Sequence, residues 1–327
     1  MFAARGVVVS LAFFVMLYCA LSSLVVLAWH CVNRAARKSS LGSASFLFAL
    51  RIFSFAVSVV VAVFFAFPSF WLMESASLDE DAATFILAAC SLLILSAGLL
   101  RLLSARARTE RAVTEWSLAG RGRAGTSRAG TSSAATSTSP ATTEPALRLS
   151  ASSGAPPLIL VGIRKPQVMI SDLAGTLLTS EELQVAVRHE LGHMRFRDNL
   201  KKALISAIPF PGMSSLESAW REAAELAADD VAVANRQDAL DLAAALIKLS
   251  RSSSQWSEPA LASGLGSSSA SISGRVERLL QWSKTRRRTR RTRFWILPVI
   301  FCMVAIVVSN YGATLVLTHR LTELLVP

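Results

Sequence analysis

Apolar runs free of charge dominate this sequence and limit what it can fold into. A hydrocarbon core about 30 Å thick needs roughly 20 helical residues to cross it. Val7 to Trp29, Ile52 to Trp71, about Ala83 to Leu100, and Phe294 to about Thr318 all come near that length. Hydrophobic residues make up 52% of the 327-residue chain and charged ones 17%, which is not the balance of an ordinary soluble protein. A secretory signal peptide is a weak alternative for the first run, since signal cores are shorter and this one continues into His30 and Cys31. The expected layout is therefore a polytopic, mainly α protein with four transmembrane helices, at about 7–29, 52–71, 83–100 and 294–318. Pro298, Asn310 and Gly312 in the last run are tolerable in a membrane helix.

The charges between these runs give an orientation, because cytoplasmic flanks carry the excess of Lys and Arg. Arg34, Arg37, Lys38 and Arg51 lie between the first two runs, and Glu74, Asp79, Glu80 and Asp81 between the second and third. Arg101, Arg106, Arg108 and Arg111 follow the third, and seven cations between Lys284 and Arg293 precede the fourth. The N-terminus is then expected outside, the segment 101–293 in the cytoplasm, and a short tail outside the cell membrane. Much of the net charge of +12 sits at these borders, where it can meet anionic lipid. No aromatic platform or DNA-reading helix pair accompanies it, so no nucleic-acid partner is expected. The four cysteines lie in or beside the apolar runs and suggest neither disulfides nor a redox motif.

Residues 1–103 thus form a three-helix membrane part. The stretch 104–156 reads as a linker, rich in Ser, Thr, Ala and Gly from about Ser117 to Ala155. A polar domain follows over 157–283, with a Ser/Gly-rich loop at Ser263 to Ser273, and 284–327 holds the basic flank, the fourth span and the tail. The domain opens with two short apolar runs, Leu158 to Val161 and Gln167 to Ile170, separated by Gly162 and Pro166, which fit two strands joined by a turn. Thr179-Ser180-Glu181-Glu182 has the form of a capping box, so a helix is predicted to begin near Ser180.

That helix runs into His189-Glu190-Leu191-Gly192-His193. Histidines at i and i+4 lie one above the other on a helix and can share one metal ion, with the intervening glutamate beside the ion. Zinc held by two histidines and a carboxylate keeps a position for water, and Glu190 is placed to act as general base and then acid in peptide hydrolysis. Only four histidines occur in the chain, and His30 and His319 flank membrane runs. The missing carboxylate is expected from a helix starting near Ser214 or Ser215, where Glu222, Glu225 and Asp229 share a face. One of the two glutamates should be the ligand, and the alanines around them would let this helix approach the first closely. Arg221 and Arg275 are the candidates for stabilising an oxyanion. Ala203 to Phe210 is apolar but too short to span, and Pro209 and Pro211 interrupt it, so it reads as core more readily than as a bilayer contact.

Pro166-Gln167-Val168-Met169-Ile170-Ser171, His189 through Asn199 and Glu225-Leu226-Ala227-Ala228-Asp229 resemble the membrane zinc peptidases of the BlaR/MecR sensor-transducer family. The resemblance implies an α+β gluzincin-type domain inserted between the third and fourth membrane helices. It implies Zn2+ as cofactor and Glu225 rather than Glu222 as third ligand, with Asp229 orienting a ligand histidine through its other ring nitrogen. Arg197 and Asp198 match the family's Arg-Asp, and for them a salt bridge or helix-end cap is as good a reading as a catalytic role. The family's sensor members carry an extracellular ligand-binding domain after the last span, whereas about nine residues follow Thr318 here, so a signal is expected through a partner, a second copy of the chain or the spans themselves. The implied activity is endoproteolysis of a cytoplasmic or membrane-associated protein, such as a transcriptional repressor in signal transduction. A prenyl-protein or quality-control membrane endopeptidase and a non-enzymatic membrane scaffold are the alternatives.

Overall fold

The computed structural model describes residues 2–35, 43–73, 82–126, 148–150, 156–252, 261–262, 269–282 and 311–325. The chain forms two compact units, one of residues 1–100, 207–220 and 285–327, the other of residues 101–206 and 221–284.

Apolar helices build the first unit: α1 (Phe2–Ala35), α2 (Ala44–Val61), α3 (Phe67–Met73), the start of α4 (Ala82–Thr126), and a C-terminal helix, Tyr311–Leu325. Ser43 caps α2, its side chain accepting from the Phe46 N–H. Pro68 offers no N–H to the Phe64 carbonyl, and just there the backbone widens into a π turn over Ala62–Ala66, in which Phe67 N–H donates to Ala62 O. The Tyr311 hydroxyl donates to the Phe64 carbonyl at 3.0 Å, replacing the bond that proline cannot make. Among the described residues, three helices are long and apolar enough to cross a membrane: Ala4–Arg34, Ala44–Met73 and Ala82–Trp116. The expected fourth span lies largely outside the described residues, as do the acidic loop 74–81 and the basic flank 284–293.

Residues 207–220 depart from the expected domain plan, because they belong to the unit of the apolar helices rather than to a continuous 157–283 domain. Ile208 is buried in a cluster with Phe14, Tyr18 and Ala62, against which Ala207 and Phe210 also pack. The Tyr18 hydroxyl donates to the Pro209 carbonyl, and Arg51 donates to the Ile208 carbonyl and to Glu217 Oε1. These bonds satisfy irregular backbone among apolar helices, the condition for keeping it there. Gly98 leaves room for the approach, since a Cβ there would run into the Ala207 carbonyl oxygen. The segment 203–210 is thus core at its Ile208 end, as expected, but a core made with membrane-length helices.

In the second unit, α4 continues to Thr126, so residues 104–126 are helical rather than linker. Ala105 packs with Ala203 and Leu261, and Val113 and Trp116 cover Ile159, Val161 and Met169, which gives the continuation a face to bury. The two expected strands form as β2 (Leu158–Val161) and β3 (Gln167–Ser171), antiparallel, with Leu158 opposite Ile170 and Val161 opposite Gln167. A third strand, β1 (Arg148–Ser150), falls in the expected linker and pairs parallel to β3, giving the order β1-β3-β2. Helices α5 (Asp172–Leu177), α6 (Ser180–Phe196), α7 (Asp198–Ala207), α8 (Ser214–Ala232), α9 (Arg236–Ser252) and α10 (Ser269–Leu280) follow. The start of α10 occupies residues expected in the Ser263–Ser273 loop. The core joins Leu158, Leu160, Val168 and Ile170 of the strands to Val185 and Ala186 of α6 and Leu242, Leu246 and Leu249 of α9.

Candidate metal centre

Helix α6 begins where its capping box dictates: Thr179 accepts from the Glu182 N–H, and the Glu182 carboxylate accepts from the Thr179 N–H at 2.9 Å. This start fixes the phase of the helix, so Val185 and Ala186 point to the core while His189, Glu190 and His193 are buried beyond them. The two histidine Nε2 atoms converge to 3.1 Å.

Helix α8 meets them across a contact of small residues. A Cβ on Gly192 would lie 3.2 Å from Ala228 Cα, so glycine is what lets the two backbones come this close. Glu225 Oε2 then lies 3.5 Å from His189 Nε2 and Oε1 lies 3.5 Å from His193 Nε2. His189, His193 and Glu225 form a group that could hold a metal ion. Ligand atoms about 2.0–2.1 Å from a tetrahedral zinc stand about 3.3 Å apart, so the 3.1 Å between the two Nε2 atoms fits such an ion, and Glu225 brings one oxygen to about that distance from each ring. Glu222 and Arg221 are exposed on the preceding turn and do not belong to this group.

Each histidine has a carboxylate on its other ring nitrogen. Asp229 Oδ1 lies 3.0 Å from His189 Nδ1, and Asp198 Oδ2 lies 2.8 Å from His193 Nδ1. Such partners fix ring orientation and direct Nε2 to a metal. Asp198 reaches its histidine because α6 ends at Arg197 in the left-handed conformation (φ 54°), which turns the chain back on itself. Its salt bridge is therefore not a bland helix-end feature: it joins Lys201 to a histidine of the site. Sequence spacing gave no reason to prefer this role, which depends on one backbone turn.

Arg275, from α10, is buried and donates through Nε and Nη2 to Asp229 and through Nη1 to Glu225. It is thus held by carboxylates of the site, a different place from that of a free oxyanion donor. Burial alone would raise the Glu225 pKa, but His193, His189 and Arg275 outweigh it and hold the carboxyl well below the usual range. Burial likewise disfavours charge on His189, yet Asp229 and Glu225 push its pKa up to about 9. Two carboxylates facing one imidazole make a site with a strong preference for positive charge, which a divalent ion satisfies better than a proton.

Residues 121–279 match the family model described as BlaR1 peptidase M56. The match spans a little under half of the chain and supports a member of this M56 peptidase family. No curated protein matches it. The match supports a membrane peptidase, in keeping with the three membrane-length helices among the described residues. The matched region covers α6, α8 and all but the last residue of α10, and so every residue gathered around His189 and His193.

Proposed function

We propose that the chain is an integral-membrane zinc metalloendopeptidase whose peptidase part faces the cytoplasm and hydrolyses a cytoplasmic or membrane-associated protein, with a transcriptional repressor as the substrate in a signalling response. The observation that carries this reading is the convergence of His189 and His193, both buried, and the partly buried Glu225 in one group next to the buried Glu190. The basic flanks of the apolar runs support the cytoplasmic placement.

His189, His193 and Glu225 would hold the ion, with Asp229 and Asp198 keeping the rings in place. When bound, zinc supplies Lewis-acid polarisation of a water molecule and of the scissile carbonyl. Glu190, next to a ligand in sequence and fully buried, takes the proton of the attacking water and returns it to the leaving amine. The low-dielectric surroundings strengthen this exchange, since Glu190 and the histidines are shut off from bulk solvent.

Glu190→Gln keeps the shape of the side chain and removes the basic carboxylate. Purified in detergent, the variant should retain zinc by elemental analysis while cleavage falls by about 10²–10⁴-fold. Equal cleavage by variant and wild type would falsify the mechanism. Comparing the proteomes of cells carrying wild type and Glu190→Gln identifies the substrate, and a substrate other than a regulatory protein would overturn the signalling role.

A further inference from the structure

Arg275 stands behind the carboxylates of α8 with 2% of its side chain exposed. Burying a guanidinium is costly unless its donors are matched. Asp229 alone would match it, since Nε donates to Oδ2 at 2.9 Å and Nη2 to Oδ1 at 2.6 Å. Yet Nη1 also donates to Glu225 Oε2 at 2.8 Å. One planar fork therefore fixes both carboxylates, and lysine could not do the same from a single ammonium.

A carboxylate can bind a metal through one oxygen or through both. The two oxygens of Glu225 are equally near the histidines, at 3.5 Å. What separates them is the arginine, which occupies Oε2 with a charge-assisted bond and leaves Oε1 to the ligand group. The geometry points to Arg275 as a positioning residue that presents Glu225 to the metal through one oxygen and so keeps a coordination position open for water and substrate. This deepens the metallopeptidase reading and rests on it. It also makes α10 a part of the site although it supplies no ligand.

The test uses full-length protein in detergent, stripped with a chelator and loaded with Co2+, whose visible absorption is stronger in four-coordinate than in five-coordinate sites. Arg275→Gln should lower Co2+ affinity by about 10- to 100-fold in chelator competition and weaken the visible band. Arg275→Lys should regain part of the affinity but keep the weaker band, because charge returns without the fork. A variant with a wild-type thermal midpoint, wild-type affinity and the wild-type band overturns the inference. Should Arg275→Gln not fold, Arg275→Lys decides by the same two readouts. Wild-type protein that binds neither Co2+ nor Zn2+ sinks the metal-site reading as a whole. Wild type that binds metal and loses cleavage as Glu190→Gln, beside Arg275 variants that behave as wild type, sinks only the role given to Arg275.

Discussion

Replacing Gly192 by alanine separates the stability of helix α6 from the geometry of the ligand group. Inside a helix the substitution alone is worth about 1 kcal/mol in favour of alanine. Against it stands the new Cβ, 3.2 Å from Ala228 Cα and 3.4 Å from both Ala228 Cβ and the Ala228 carbonyl oxygen, atoms of a helix that cannot swing aside. Overpacking of this kind costs about 1–3 kcal/mol, so the net change in stability should be small, from about 0 to 2 kcal/mol unfavourable. The contact is relieved when α6 and α8 part by a few tenths of an ångström. That same movement stretches the 3.5 Å separations between the histidines of one helix and Glu225 of the other. Productive geometry at such sites is held to about 0.5 Å, and zinc affinity should therefore fall by about ten-fold while the fold survives. Thermal unfolding of the metal-free protein in detergent gives the first quantity and chelator competition the second. A variant stabilised by the full helical preference and binding zinc as wild type does would show that the two helices are not in contact at this point, and the account of the site would fail with it.

Zinc binding should release a proton from His189, whose pKa in the metal-free site is about 9. Affinity then rises with pH up to about 9 and levels off above it, because below that value the metal must displace a proton; chelator competition between pH 6.5 and 9.5 measures it, and a flat profile refutes it. The same raised pKa stabilises the metal-free fold below the ordinary value of 6.5, a contribution lost as pH rises through about 9. Arg51→Leu removes the partner of Glu217 and of the Ile208 carbonyl, a bond network at 2% and 22% side-chain exposure. It should cost about 2–4 kcal/mol in thermal unfolding, and Arg51→Leu with Glu217→Leu should recover part of that. A double variant no more stable than the single one would show that the carbonyl, not the ion pair, is what Arg51 serves.

Local rules within the sequence determined much of this protein. Thr179 and Glu182 mark the first turn of α6, and from that turn the helical repeat places His189 and His193 on one face without help from the rest of the chain. The first three apolar runs likewise declare their helices, and Gly162 with Pro166 declares the turn between β2 and β3. Tertiary structure alone decided what reaches those histidines. Glu222 and Glu225 share a helix face, and only the packing of Ala228 on Gly192 selects the second of them. Asp198 finds His193 through a left-handed residue at Arg197, a conformation that arginine does not announce. Arg275 lies fifty residues beyond Glu225, and its partners follow from where α10 docks, not from any spacing. The segment 207–220 joins the apolar helices because Tyr18, Arg51 and Gly98, far away in the chain, provide bonds and room for it. Periodicity and capping act between neighbours a few residues apart, whereas a metal site needs charges and donors brought together from several elements, and only the folded chain does that.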